Sequence, residues 1–86
     1  MDIYFSPRFK RSFKKYLSPF QRNVWKKIEL FRIAPFHPSL KTHKLSVDPL
    51  WAFSLDCKNR IVFQFLKDES VLLLSIGDHS IYRKGI

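Results

Sequence analysis

From Asn59 to Tyr82 the chain changes its hydrophobic period twice. Arg60 opens an alternating run in which Ile61, Phe63 and Phe65 point one way and Arg60, Val62, Gln64 and Leu66 the other. A period of two marks a strand with unlike faces. After the polar turn Lys67-Asp68-Glu69-Ser70, the run from Val71 to Ile76 is apolar except for Ser75. That composition is expected of a strand covered on both sides, which places it at the centre of a sheet. Gly77 breaks the run, and Asp78 and His79 follow at once. Antiparallel pairing sets the start of one strand beside the end of the next, so Arg60 and His79 are expected to be neighbours.

Upstream, Asp2 to Ser6 alternates and is rich in β-formers, which predicts a first strand. Ser6-Pro7 is a helix start, with Ser6 as N-cap and Pro7 in the first turn. Phe9, Phe13 and Tyr16 or Leu17 then share one face of a helix whose remaining surface carries Arg8, Lys10, Arg11, Lys14 and Lys15. Ser18-Pro19 repeats the start signal, and Phe20, Val24, Ile28 and Phe31 mark the buried face of a second helix that also holds Trp25. This helix is expected to end at Ala34, because the residue before Pro35 is pushed out of the helical region. A loop, the alternating stretch Leu40 to Leu45 and a turn at Ser46-Val47-Asp48-Pro49 lead to Trp51–Asp56, which places Trp51, Phe53 and Leu55 on one face. Lys58-Asn59 is read as a tight turn. The predicted fold is α+β, in the order β-α-α-β-β-β: an N-terminal strand, a helical hairpin, then an antiparallel meander. The helices pack on one face of a small sheet and leave the other concave and partly polar.

At 86 residues, 45% of them hydrophobic, the chain is expected to be a single domain, 1–86, with one core. The formal net charge is +9, and it is unevenly placed. Residues 1–45 hold eleven Lys or Arg against Asp2 and Glu29, whereas residues 46–86 hold five basic against five acidic. A one-sided basic field suits a polyanion such as nucleic acid, or an acidic protein. The single cysteine, Cys57, excludes an internal disulfide and a paired-cysteine zinc site, and a cytoplasmic location is expected. Neither a signal peptide nor a membrane span is expected: Asp2, Pro7 and Arg8 interrupt the N-terminus, and no apolar run approaches the roughly 18 residues that a span requires.

The chemistry-bearing residues narrow by elimination. His37, His43 and His79 have no metal-ligand spacing, Cys57 has no nucleophile motif around it, and Gly77 and Gly85 are too few for a phosphate loop. No metal or other cofactor is expected. What remains is Lys41, His43, Lys44, Arg60, Asp78, His79 and Tyr82. Cleavage of RNA without a metal needs a base for the 2′-hydroxyl, cations for the pentavalent phosphate and an acid for the 5′-oxygen. Histidine suits the proton transfers and arginine the phosphate. Trp51 and Tyr82 are candidates for stacking on bases. Each has a simpler reading: Arg60 could pair with Asp56 or Asp78, His79 could cap a strand end, and Trp51 could belong to the core.

The ordered set Ser6-Pro7-Arg8-Phe9, Lys41-Thr42-His43-Lys44-Leu45, Trp51-Ala52-Phe53-Ser54-Leu55-Asp56, Arg60-Ile61-Val62-Phe63 and Ile76-Gly77-Asp78-His79-Ser80-Ile81-Tyr82 resembles the RelE/ParE superfamily of toxins from type II toxin–antitoxin systems, the RelE and YafQ-like branch above all. The resemblance covers essentially the whole chain. It implies an mRNA interferase, an endoribonuclease that cuts messenger RNA on the ribosome and inhibits translation, held in check by a cognate antitoxin that should be acidic. It implies that Arg60 contacts the phosphate, that His79, with His43 as alternate, moves protons, and that Tyr82 is the aromatic of the site. Lys41 and Lys44 are then substrate contacts, and Arg11, Lys14 and Lys15 would meet RNA phosphates. Two alternatives share the fold: a ParE-like toxin that binds and inhibits DNA gyrase without cutting RNA, and an inactive homologue that only binds its antitoxin.

Overall fold

A computed structural model of the chain describes residues 1–78. One five-stranded sheet is formed by β1 (Asp2–Phe5), β2 (His43–Lys44), β3 (Leu50–Ser54), β4 (Arg60–Phe65) and β5 (Ser70–Gly77), in the spatial order β1-β5-β4-β3-β2. The helices α1 (Pro7–Lys14) and α2 (Ser18–Ile33) lie between β1 and β2 in the chain, and a short 3-10 helix, Pro38–Leu40, precedes β2. The α+β architecture is the one the pattern predicts, and His43–Lys44 extends the antiparallel meander by a short edge strand. The middle strand is β4, not the apolar β5. β5 is instead an interior strand between β4 and β1, and β1 pairs with it in parallel, Asp2 with Ser70 through Phe5 with Leu73.

The helices cover one face. Phe9 of α1 and Val24, Ile28 and Phe31 of α2 form a continuous core with Phe53, Ile61, Phe63, Val71, Leu73 and Ile76 of the sheet. Phe31 anchors it, stacked on Phe53 at 4.4 Å between ring centroids and edge-on to Phe63 at 4.8 Å. Each such aromatic pair adds about 0.5–1.5 kcal/mol beyond the area it buries. Trp51 packs on this same face against Phe36, Phe63 and Phe65.

Local chemistry sets the element ends. The Ser6 hydroxyl oxygen accepts the Phe9 N–H at 3.0 Å, the N-cap bond expected of it. The second helix begins one residue earlier than its Ser-Pro signal suggests. Leu17 takes the extended cap conformation, Ser18 is already helical, and no side chain caps the end. Leu17 is accordingly exposed rather than part of the buried face. At the other end of α2, Ala34 leaves the helix before Pro35, as expected. The link between β3 and β4 is longer than a two-residue turn: the Asp56 carboxylate accepts the N–H groups of Lys58 and Asn59 at 2.8 and 2.7 Å, closing an Asx-type loop. Between β4 and β5, Asp68 and Glu69 both take left-handed backbone, φ 59° and 56°.

One irregularity governs the rest of the sheet. Val62 pairs with Ser75 but Phe63 pairs with Leu73, so Leu74 is an extra residue, a β-bulge. The bulge reverses the side-chain alternation along β5. Val71 and Leu73 face the helices before it, Ile76 does so after it, and Ser75 and Gly77 fall on the opposite face. The Ser6 hydroxyl donates to the Leu74 carbonyl at 2.7 Å, so the α1 cap also occupies the bulge's freed acceptor.

Candidate functional site

Residues directly opposite one another in paired strands share a face, so the register maps the face away from the helices. One row is Ser54-Arg60-Gly77 across β3, β4 and β5, and the next is His43-Ala52-Val62-Ser75 across β2 to β5. The bulge creates both rows. Without the extra residue at 74, Arg60 would stand opposite Ile76 and Val62 opposite Leu74. With it, Arg60 gains a neighbour that has no side chain, and Ser75 brings a hydroxyl into the next row.

Arg60 is half-buried, and its Nη1 is fully covered with no hydrogen-bond partner among the described residues. The Ser75 hydroxyl, on the adjacent strand, is buried and unpartnered in the same way. A buried, unsatisfied donor costs about 1–3 kcal/mol, and more when it belongs to a charged group. Two such donors in adjacent rows suit an oxyanion. Ser75 carries no sequence motif. Its one signal is that it interrupts an apolar strand with a polar residue, and the bulge that turns it toward Arg60 leaves no mark in the pattern.

His43 stands at the edge of the same face, on the order of 10 Å from Val62 given two strand spacings. Its Nδ1 lies 2.9 Å from the Lys41 carbonyl. A carbonyl only accepts, so Nδ1 carries the hydrogen, and in the neutral ring Nε2 is left as the exposed proton acceptor. Lys41 holds this contact from a left-handed conformation, φ 50°, at the end of the 3-10 helix, and its own side chain is exposed. His37 differs: its Nδ1 accepts the Ser39 N–H at 3.1 Å and caps that short helix.

Other residues expected at the site lie elsewhere. Lys44 pairs in register with Trp51, hence on the helix-covered face, and its Nζ meets the Asp48 carboxylate at 3.1 Å. Trp51 is likewise on the helix side, away from Arg60. Arg11, Lys14 and Lys15 are exposed on and just after α1, which packs on the opposite face of β5. His79 and Tyr82 lie outside the described residues. The register does set Arg60 opposite Gly77, two residues before His79.

Carboxylates gather near the end of the sheet that holds Arg60. Burial, together with the charges of Asp78 and Asp56, raises the Tyr16 pKa, so its hydroxyl stays protonated. Burial pushes the Asp56 carboxyl up but is outweighed by the Asn59 and Lys58 N–H groups, the Asn59 amide and the Lys58 charge, leaving it below the usual carboxylate range. The Asp56 oxygens are therefore committed to their own loop. Among the described residues no cluster of three His, Cys, Asp or Glu side chains could hold a metal ion, and no helix is long and apolar enough to cross a membrane.

A second feature lies on the helix side. Phe5, Phe9, Phe13 and Trp25, with Lys10 and Lys14, line an apolar cavity of 230 Å³ in which Trp25 remains half exposed.

No protein-family model and no curated protein matches the sequence. Solved structures do match. YafQ from E. coli superimposes with a TM-score of 0.76 at 15% identity, covering 94% of this chain and 96% of its own. The YoeB/ParE toxin from Agrobacterium tumefaciens gives 0.75 at 13% identity, covering 92% and 99%. The intact E. coli RelBE toxin–antitoxin complex gives 0.69 at 19% identity, covering 90% and 94%. The chain therefore has the fold of the RelE, YoeB, YafQ and ParE-like toxins over nearly its whole length.

Proposed function

We propose that residues 1–86 act as one toxin domain of a type II toxin–antitoxin pair, and that the toxin is a ribosome-dependent mRNA endonuclease acting in the cytoplasm. The observation that carries this reading is the half-buried Arg60 guanidinium, one donor of which has no partner among the described residues, in the row next to the similarly unpartnered Ser75 hydroxyl. That pair is placed to receive a phosphate oxygen and to neutralise the charge that builds on it in the transition state. Across the same face His43 presents Nε2 as the base that takes the 2′-hydroxyl proton. The 2′-oxygen attacks phosphorus, the bond to the 5′-oxygen breaks, and a 2′,3′-cyclic phosphate and a 5′-hydroxyl result. The leaving oxygen takes its proton from an acid, a role assigned to His79 or Tyr82. Lys41, exposed next to His43, adds positive potential for the RNA backbone. Arg11, Lys14 and Lys15, on the far side of the sheet, bind ribosomal RNA phosphates and not the cut strand.

The ribosome supplies what one small face lacks. With few groups to hold an RNA strand, positioning of the scissile bond has to come from elsewhere, and a translating ribosome already fixes the message. The antitoxin is an acidic protein, in keeping with the +9 charge. Its amphipathic helix seats apolar residues in the cavity beside Trp25 and its carboxylates on Lys10 and Lys14.

Primer extension on a reporter mRNA in a translating extract tests the reading. The expected result is cuts at a fixed position within codons, only during translation, falling at least 100-fold with Arg60→Ala and with His43→Ala. An uncut message together with inhibited DNA supercoiling would replace it with gyrase binding.

A further inference from the structure

The face that carries Arg60 has two unlike ends. At one end Ala52 and Val62 are fully buried and Ser75 nearly so. At the other, the register aligns Tyr4, Leu72, Gln64 and Leu50 in one row across β1, β5, β4 and β3. Leu50, Gln64 and Leu72 are half-buried, and the Tyr4 ring is 54% exposed. Their neighbours Ile3, Phe5, Trp51, Phe63 and Leu73 belong to the core on the other side, which fixes the direction of this row.

The row combines three properties. Leu50 and Leu72 make an apolar floor, Tyr4 supplies an exposed π-face, and the Gln64 amide between the leucines makes no side-chain hydrogen bond among the described residues. Its polar atoms are not among the buried orphans, so they reach solvent with donor and acceptor both available. A flat surface with one free amide suits a nucleobase: rings stack on aromatic and apolar side chains, and an amide reads a base edge by paired hydrogen bonds. A glutamine amide matches adenine best, donating to N7 and accepting from the exocyclic amine.

The structure assigns Tyr4, Leu50, Gln64 and Leu72 as a base-reading shelf with a preference for adenine. Gln64 is four residues from Arg60, roughly 13 Å along β4. The base read is therefore that of a nucleotide flanking the cut, not one attached to the attacked phosphate. The assignment rests on the endonuclease reading for its role, although binding itself does not require cleavage.

Titration by NMR with deoxydinucleotides, which lack the attacking 2′-hydroxyl, tests the shelf apart from the nuclease. The adenine dinucleotide should shift the amides of Tyr4, Gln64 and Leu72 and bind at least 5-fold more tightly than the cytosine dinucleotide. Gln64→Leu should erase the difference, and Tyr4→Ala should weaken both. In the translating extract, Gln64→Leu should lose the bias for adenine beside the cut. Equal binding of the two dinucleotides, or shifts confined to other residues, would overturn the shelf and leave this row as a protein contact. Selective binding by a protein that cuts no message would overturn the endonuclease reading and keep the shelf.

Discussion

The two faces of the sheet obey different rules. On the helix side the core rings pack on one another, meeting at 4.4 to 6.5 Å. On the other side, within one strand pair of the fully buried Val62, sit a guanidinium nitrogen and a hydroxyl that have no hydrogen-bond partner among the described residues. The first face follows from the hydrophobic effect and packing alone. The second is less stable than an apolar surface of the same shape would be. A small domain, whose total stability is of order 5–15 kcal/mol, retains such groups where something binds to them.

Breaking the packed face should have the largest consequence. Phe53→Ala removes the ring stacked on Phe31 and should cost about 3–5 kcal/mol, read as a large fall in the urea midpoint. Tyr4→Ala, on the open face, should stay within about 0.5 kcal/mol of wild type in the same experiment. Equal losses for the two would remove the distinction between the faces.

The link between the faces comes next. Ser6→Ala deletes both the α1 cap and the bond to the bulged Leu74 carbonyl, and should destabilise by about 1–2 kcal/mol. Hydrogen exchange should quicken at Phe9 and along β5 from Leu74 onward. Quickening at Phe9 alone would mean that the bulge does not need the latch.

Smaller effects come from the turns. Asp68 and Glu69 adopt left-handed backbone that glycine takes without strain, so Glu69→Gly should stabilise by about 0.5–1 kcal/mol and leave any cleavage unchanged. The Asp56 loop gives the smallest and most conditional effect. Its folded carboxyl titrates below the ordinary range, so its contribution is complete above that range and is lost as pH falls through it. Asp56→Ala should therefore be less stable than wild type by about 1 kcal/mol near neutral pH, and the two unfolding midpoints should converge in acid.

The packed face was largely legible in the sequence. Period-two and helical spacings place Phe9, Val24, Ile28, Phe31, Phe53, Ile61 and Phe63 in one core, and Ser6-Pro7 and Ala34-Pro35 mark helix ends. These are local signals, and burial against a helix is what periodicity reports. On the face away from the helices, Arg60 and His43 were legible as polar strand positions, but their surroundings were not. A run such as Val71-Leu72-Leu73-Leu74 looks alike on both sides, so it hides a bulge and the side on which Ser75 falls. It also hid the parallel pairing with β1, which moves β5 off the centre of the sheet. Lys44 looked equivalent to Lys41 in sequence, and only its register with Trp51 sets it on the other face.

The most direct test of the contrast is to measure stability and cleavage together in Arg60→Met. Methionine keeps much of the side chain's length and removes the buried donor that has no partner among the described residues, so no desolvation penalty for that group remains. If Arg60 is kept for an anion, the variant should unfold at the same or a higher urea concentration and cut no message on the ribosome. A variant that is less stable yet cuts as well as wild type would contradict the account and make Arg60 a structural residue.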